Sequence, residues 1–172
     1  MKFMTRKSLR RHFLKDKEVK KLVQEFSRRF NLQLTEILEK DSIEVEVAEV
    51  GADVRVFLIS GRPLLVSLEE RLVPSLVFEE LFRFLPRVVV DSGAVPYVCN
   101  GADVMAPGIV RVEGNFHKGD IVVVVDERHA KPLVIGEALH SSEELRKMKT
   151  GKAVKNVHYV GDKLWKFIKE IS

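Results

Sequence analysis

Three glycines, Gly93, Gly101 and Gly108, crowd into one stretch of the chain beside Asp91, a residue suited to capping a helix start. A glycine lets a phosphate or sugar come close to the backbone, whose amides can then donate to phosphate oxygens. The same residues are also ordinary turn formers, and each taken alone reads more readily as a turn. Further along, Lys152, Lys155 and Lys163 flank an apolar segment that carries His158 and Tyr159. The two rings could stack on a base or bond to ribose, and a stack is worth about 1–3 kcal/mol per base. The competing reading puts Tyr159 and Trp165 in the core, and Tyr97 is assigned to the core as well. Asp103 would repel phosphate, so its chemistry is that of an acceptor for a base amino group or ribose hydroxyl, or of a cap. Arg6, Lys7, Arg10 and Arg11 form a second cluster, which is either a surface for a duplex backbone or a solvated chain end.

No catalytic constellation accompanies these groups. His12, His117, His129, His140 and His158 have no HxxxH or HxH spacing, so no metal site and no cofactor are expected. Neither a Walker loop nor a GxGxxG run is present. Cys99, the single cysteine, excludes a disulfide scaffold and reads as a buried, inert thiol in an apolar helix. Asp91 is read as a helix cap and not as a catalytic acid. The expectation is a protein that binds and does not catalyse.

Charge is unevenly spread. Residues 1–40 hold twelve Lys or Arg against five Asp or Glu, and residues 41–86 hold four against nine. A basic leading segment beside an acidic middle points to one polyanion-facing edge, or to a solvated helix face in a charge-rich protein. The longest run without a charged residue, Ser92–Ala102, is eleven residues. That is well short of the roughly 20 needed for a membrane span, and the basic leading residues lack a secretory core, so a cytoplasmic protein is expected.

The elements that must position these groups fall into two styles. Val19, Leu22, Val23, Phe26 and Phe30 share one face of a helix over Lys15–Phe30, with Asn31 as its stop. A short helix follows around Leu34–Glu39. Strands are expected around Ile43–Ala48, over Val54–Ile59 after a turn at Gly51–Asp53, and over Leu64–Leu68 after a turn at Ser60–Pro63. A helix over Leu76–Phe84 closes this part. The first domain, residues 1–86, is thus an α+β domain of helices on a small antiparallel sheet.

After Pro86 come a strand over Arg87–Val90, a small helix entered at Asp91 and ended by Asn100-Gly101, and a strand from Val104 that Pro107-Gly108 bends before Ile109–Val112 resumes it. The apolar run Ile121–Val125 reads as a strand buried on both faces. Leu133–Leu139 is the next strand, Ser141–Lys149 a helix with a capping box, and Val154–Val160 the last strand. Leu164, Trp165 and Ile168 form a closing apolar patch.

Asp91-Ser92-Gly93-Ala94, followed by Asn100-Gly101-Ala102-Asp103-Val104-Met105-Ala106-Pro107-Gly108-Ile109, resembles the opening of a PUA domain, the RNA-binding module named after pseudouridine synthase and archaeosine transglycosylase. Gly119-Asp120, Gly136 and the terminal stretch Gly151–Trp165 fit the same pattern. With the preceding 86 residues, the whole chain resembles the malignant T-cell-amplified sequence family, including its archaeal relatives and the corresponding part of ligatin. The resemblance implies a PUA-type mixed β pseudobarrel over residues 87–172 behind an N-terminal pre-PUA domain. It implies an RNA groove formed by Gly93, Ala94, Asn100, Gly101, Ala102, Asp103, Val104, Met105, Ala106, Pro107, Gly108 and Ile109, with Lys152, Lys155, His158 and Tyr159 from the late strand. It also implies a non-enzymatic role in translation: binding tRNA by its acceptor 3′ end, binding the small ribosomal subunit, and working with a partner resembling density-regulated protein. An accessory subunit that delivers tRNA or rRNA to a separate modifying enzyme would use the same groove. A protein–protein adaptor docking through the acidic middle strands is the third reading.

Overall fold

The computed structural model describes Phe3 and residues 9–172, and the chain divides into two units, Met1–Glu80 with Ile171–Ser172 and Leu81–Glu170. In the first unit the amphipathic segment forms α1 (Asp16–Phe30). The Glu18 carboxylate accepts from the Lys15 amide at 2.8 Å, holding the first turn. Asn31 ends the helix in the left-handed region at φ 55°. Leu22 and Phe26 are buried, and Phe26 stacks on Phe78 with ring centroids 6.4 Å apart. A single turn, α2 (Leu34–Ile37), buries Leu34 and Ile37 beside it.

The sheet of this unit is a five-stranded antiparallel meander: β1 (Arg10–Phe13), β2 (Val45–Gly51), β3 (Val54–Ile59), β4 (Arg62–Leu68) and β5 (Arg71–Pro74), paired in that order. Two of these strands are absent from the sequence reading. β1 is exposed along all four residues and has no buried face to create an alternating pattern. It is held by its ladder to β2 and by Arg11, whose Nε and Nη2 reach the Glu46 carboxylate at 2.9 and 3.0 Å. β5 returns through a two-residue turn at Glu69 and Glu70, with φ of 49° and 64°. Such a turn is usually announced by Asn-Gly or Asp-Gly, and two glutamates conceal it. β4 also begins two residues earlier than expected, so Arg62 and Pro63 belong to the strand and only Ser60-Gly61 turn the chain. The helix expected over Leu76–Phe84 is the single turn α3 (Glu79–Phe82).

The second unit is built on β6 (Arg87–Val90), α4 (Val95–Val98), β7 (Val104–Met105), β8 (Ile109–Glu113), β9 (Ile121–Asp126), β10 (Pro132–Ala138), α5 (Ser142–Lys147), β11 (Lys152–Tyr159) and α6 (Lys163–Ile171) as far as Glu170. Its sheet runs β7-β11-β10-β9-β6-β8, with β6 and β9 parallel and the other pairs antiparallel. This mixed sheet curls around a valine-rich core of Val88, Val90, Val122, Val124, Val134 and Val154, closed by Phe116 and Leu145. Pro107 and Gly108 do not merely bend a strand; Ala106–Gly108 is a turn of 3-10 helix between β7 and β8. The Ser141 hydroxyl accepts from the Glu144 amide at 3.2 Å and starts α5, which ends at Lys147, two residues before the expected Lys149.

β10 and β11 contain the irregularity that decides the site. Ile135 pairs with His158 and Gly136 with Asn156, so Val157 is an extra residue, a bulge. A bulge reverses the alternation beyond it, which brings Tyr159 to the same core as Val154, although the two are an odd number of positions apart. His158 is turned to the opposite face.

Candidate nucleic-acid interface

α4 is oriented by its apolar spacing. Val95, Val98 and Cys99 stand at i, i+3 and i+4 and pack on the barrel core. Burial pushes the Cys99 thiol up, against an opposing pull from Lys131, so the thiol stays protonated and inert. Tyr97 is thereby turned away from the core and is 70% exposed, which corrects its assignment to the interior. The helix is entered through a turn in which Asp91 Oδ1 accepts from the Ala94 amide at 2.9 Å. It leaves through Gly101 at φ +96°, over which lies the Tyr159 ring; a Cβ added there would sit 3.3 Å from it. Tyr159 is therefore a wall of the barrel that supports Gly101, half-buried and packed on the core.

Between this turn, α4 and the β7–3-10 segment lies an open cleft of about 430 Å³. One wall comes from Asp91, Gly93, Ala94, Tyr97 and Val98, and the other from Ala102, Asp103, Met105, Pro107 and Gly108. The volume is in the range of clefts that take small ligands, about 300–1,000 Å³. Gly108 keeps the floor low: a Cβ there would stand 3.0 Å from Ala94 Cβ, and its carbonyl already accepts from the Asp91 amide at 2.9 Å.

Seven of the residues expected in a groove line this cleft: Gly93, Ala94, Ala102, Asp103, Met105, Pro107 and Gly108. Val104 and Ala106 point inward and are buried, Ile109 packs partly on the core, and Asn100 and Gly101 form the exposed turn behind α4. Lys152 stands beside the cleft, paired with Met105 across the β7–β11 ladder and 65% exposed, with Nζ 3.3 Å from Asp103 Oδ2. Lys155 is exposed further along β11.

His158 does not belong to this surface. It is fully buried, with Nδ1 2.8 Å from Asp162 Oδ2, and a ring without exposure cannot stack on a base. Asp162 also accepts from the Tyr159 amide at 2.9 Å and the Trp165 amide at 2.6 Å, and so ties the end of β11 to the start of α6. Burial pushes the Asp162 carboxyl up, but the His158 contact and the two amides outweigh it and hold the group below the usual carboxylate range. In the second basic cluster, Arg6 and Lys7 lie outside the described residues. Arg10 is exposed on β1, and Arg11 is committed to Glu46.

Two residues of the site escaped the sequence reading. Asn156 donates through Nδ2 to the carbonyls of Val98 at 2.9 Å and Ala102 at 3.0 Å, and its amide donates to Asp103 Oδ1 at 2.8 Å. It thus ties β11 to the end of α4 and to the far wall of the cleft. No local pattern links Asn156 to residues more than fifty positions away. Tyr97 did carry a signal, since the spacing of Val95, Val98 and Cys99 already leaves it on the other face.

Among the described residues, no three His, Cys, Asp or Glu side chains gather in a way that could hold a metal ion. None of the described helices is long and apolar enough to cross a membrane.

A curled mixed sheet with a glycine-floored cleft beside its first short helix defines the second unit as a PUA domain, whose family model matches residues 86–160; a domain of unknown function (DUF1947) matches residues 10–78. The chain is 40% identical to an uncharacterised protein of Methanocaldococcus jannaschii over 161 residues, 92% of this chain and 96% of that one. It is 30% identical to Translation machinery-associated protein 20 of Saccharomyces cerevisiae over 141 residues, 78% of this chain and 77% of the yeast protein. Among solved structures, a hypothetical protein of Pyrococcus horikoshii superposes with a TM-score of 0.79 at 37% identity, covering 92% of this chain and 99% of that one. The chain belongs to the family of Translation machinery-associated protein 20 and Malignant T-cell-amplified sequence 1.

Proposed function

We propose that this chain is an RNA-binding protein of the translation apparatus that acts without catalysis, taking the unpaired 3′ acceptor end of tRNA in the α4–β7 cleft. The PUA domain and the translation-associated relatives support RNA binding in translation. The observation that carries the finer reading is the cleft itself, open and floored by Gly108, with Lys152 standing at its rim. An unpaired end can lay its backbone along Lys152 and Lys155 and turn a base inward, as single-stranded RNA is commonly read. A duplex is too wide for this slot, and an acceptor end is the unpaired terminus that every tRNA carries.

The division of labour assigns residues 87–172 to the RNA end and residues 1–86 to the small ribosomal subunit, through the basic outer face of α1 and β1, in the cytoplasm. A partner resembling density-regulated protein completes this proposal. Binding of tRNA with and without its terminal CCA tests the reading: the full-length tRNA is expected to bind more tightly, and equal affinity refutes the acceptor-end claim. Lys152→Ala should weaken binding of all RNA sequences alike and reduce the slope of log affinity against log salt by about 1.

A further inference from the structure

Phosphate is attracted by cations, yet the charged side chains that line the cleft are two carboxylates, Asp91 and Asp103. Lys152 pairs with Asp103 through Nζ at 3.3 Å, while Asp103 Oδ1 is taken by the Asn156 amide. Asp91 commits Oδ1 to the Ala94 amide, which leaves its second oxygen as an acceptor for the cleft. A phosphate inside would face that negative charge at close range, so the backbone of a bound strand has to run outside, over Lys152. What enters must present donors.

The apolar parts of the lining have the matching shape. Tyr97 is 70% exposed and Met105 46% exposed, and both belong to the cleft walls. The backbone under Tyr97 is fixed: its amide donates to Ala94 O at 3.1 Å, and its carbonyl accepts from the Asn100 and Ala102 amides, both at 3.1 Å. An exposed ring on a fixed backbone is a stacking platform that costs little ordering when a base arrives.

We infer that the cleft reads one unpaired base that carries an exocyclic amino group, with Tyr97 stacking on its face and the Asp91 carboxylate accepting from the amine. Cytosine, adenine and guanine have such a group; uracil has none, and its one edge donor, N3–H, lies between two carbonyls that a carboxylate repels. This inference rests on the RNA-binding reading above and adds a base preference to it.

The test measures the fluorescence anisotropy of 5′-labelled tetranucleotides UUUX, with X being A, C, G, U or purine riboside, alongside a full-length tRNA. X = A, C or G should bind about tenfold more tightly than X = U, and purine riboside, which is adenosine without its amine, should bind like U. Tyr97→Ala should lower affinity for all tetranucleotides about tenfold, and Tyr97→Phe should restore it. Asp91→Asn keeps an oxygen for the Ala94 amide and puts a donor where the second carboxylate oxygen was, so its preference should turn toward uracil. Equal affinity for all five tetranucleotides, with tRNA still bound, overturns the inference and leaves the RNA-binding reading standing. A preference that survives Asp91→Asn unchanged also overturns the assignment. Failure of the tRNA itself to bind at low salt removes the RNA-binding reading underneath.

Discussion

Gly136 is where the barrel can be strained by a single methyl group. It lies in β10 opposite Asn156 of β11, and a Cβ built on it would stand 2.3 Å from Val154 Cγ1 and 3.3 Å from the Lys155 carbonyl. Val154 is fully buried and β-branched, so it has no spare rotamer into which to retreat. Gly136→Ala should therefore cost about 1–3 kcal/mol in overpacking, offset by about 0.4–1 kcal/mol from the stiffer unfolded chain. The net expectation is a loss of about 1–2 kcal/mol, read as a lowered urea midpoint with an unchanged slope. Val154→Ala alone removes two buried carbons and should cost about 2 kcal/mol, through lost burial and a small cavity. In the double variant the new methyl occupies the space that the valine gave up. Its loss should fall short of the sum of the single losses by at least about 1 kcal/mol. Additivity within about 0.5 kcal/mol would show that the two side chains do not collide, and the packing argument would fail.

Asp162 predicts a pH dependence. Its folded pKa lies below the unfolded value, so its contribution is fully present above about pH 4 and is lost as pH falls through the folded pKa. Urea midpoints measured from pH 6 to pH 3 should fall less steeply in Asp162→Asn than in the parent, the variant having already lost the carboxylate; parallel curves would contradict this. Asn156→Ala strips the carbonyls of Val98 and Ala102 of their donor and should destabilise the second unit by about 1–3 kcal/mol. In conditions where the variant is fully folded by circular dichroism, it should also bind RNA more weakly; parent-like affinity would show that the cleft does not need this tie.

The second half was largely legible because its elements are locally signalled. Asp91 sits where a turn needs an acceptor, the run Ile121–Val125 is apolar without interruption, and Ser141 stands three residues before Glu144. The glycine-rich stretch before β8 pointed to a surface, and most of its residues do line one cleft. In the first half, β1 and β5 were lost for opposite reasons. β1 buries no side chain and depends on backbone pairing, whereas β5 buries three but enters through a turn whose residues give no warning.

The aromatic residues draw the line between the two kinds of information. Composition and spacing establish that Tyr97, His158 and Tyr159 belong to short elements, one helix and one late strand, and that lysines flank that strand; the barrel around them was implied by the resemblance. Which ring meets solvent is settled by contacts distant in sequence. The bulge at Val157 arises from the pairing of β11 with β10; it sends Tyr159 to the core and leaves His158 to be closed off by Asp162. The packing of Val98 on the barrel leaves Tyr97 outside. Alternation along a strand or helix distinguishes two faces, but only the assembled sheet makes one of them an interior and the other a wall of the cleft.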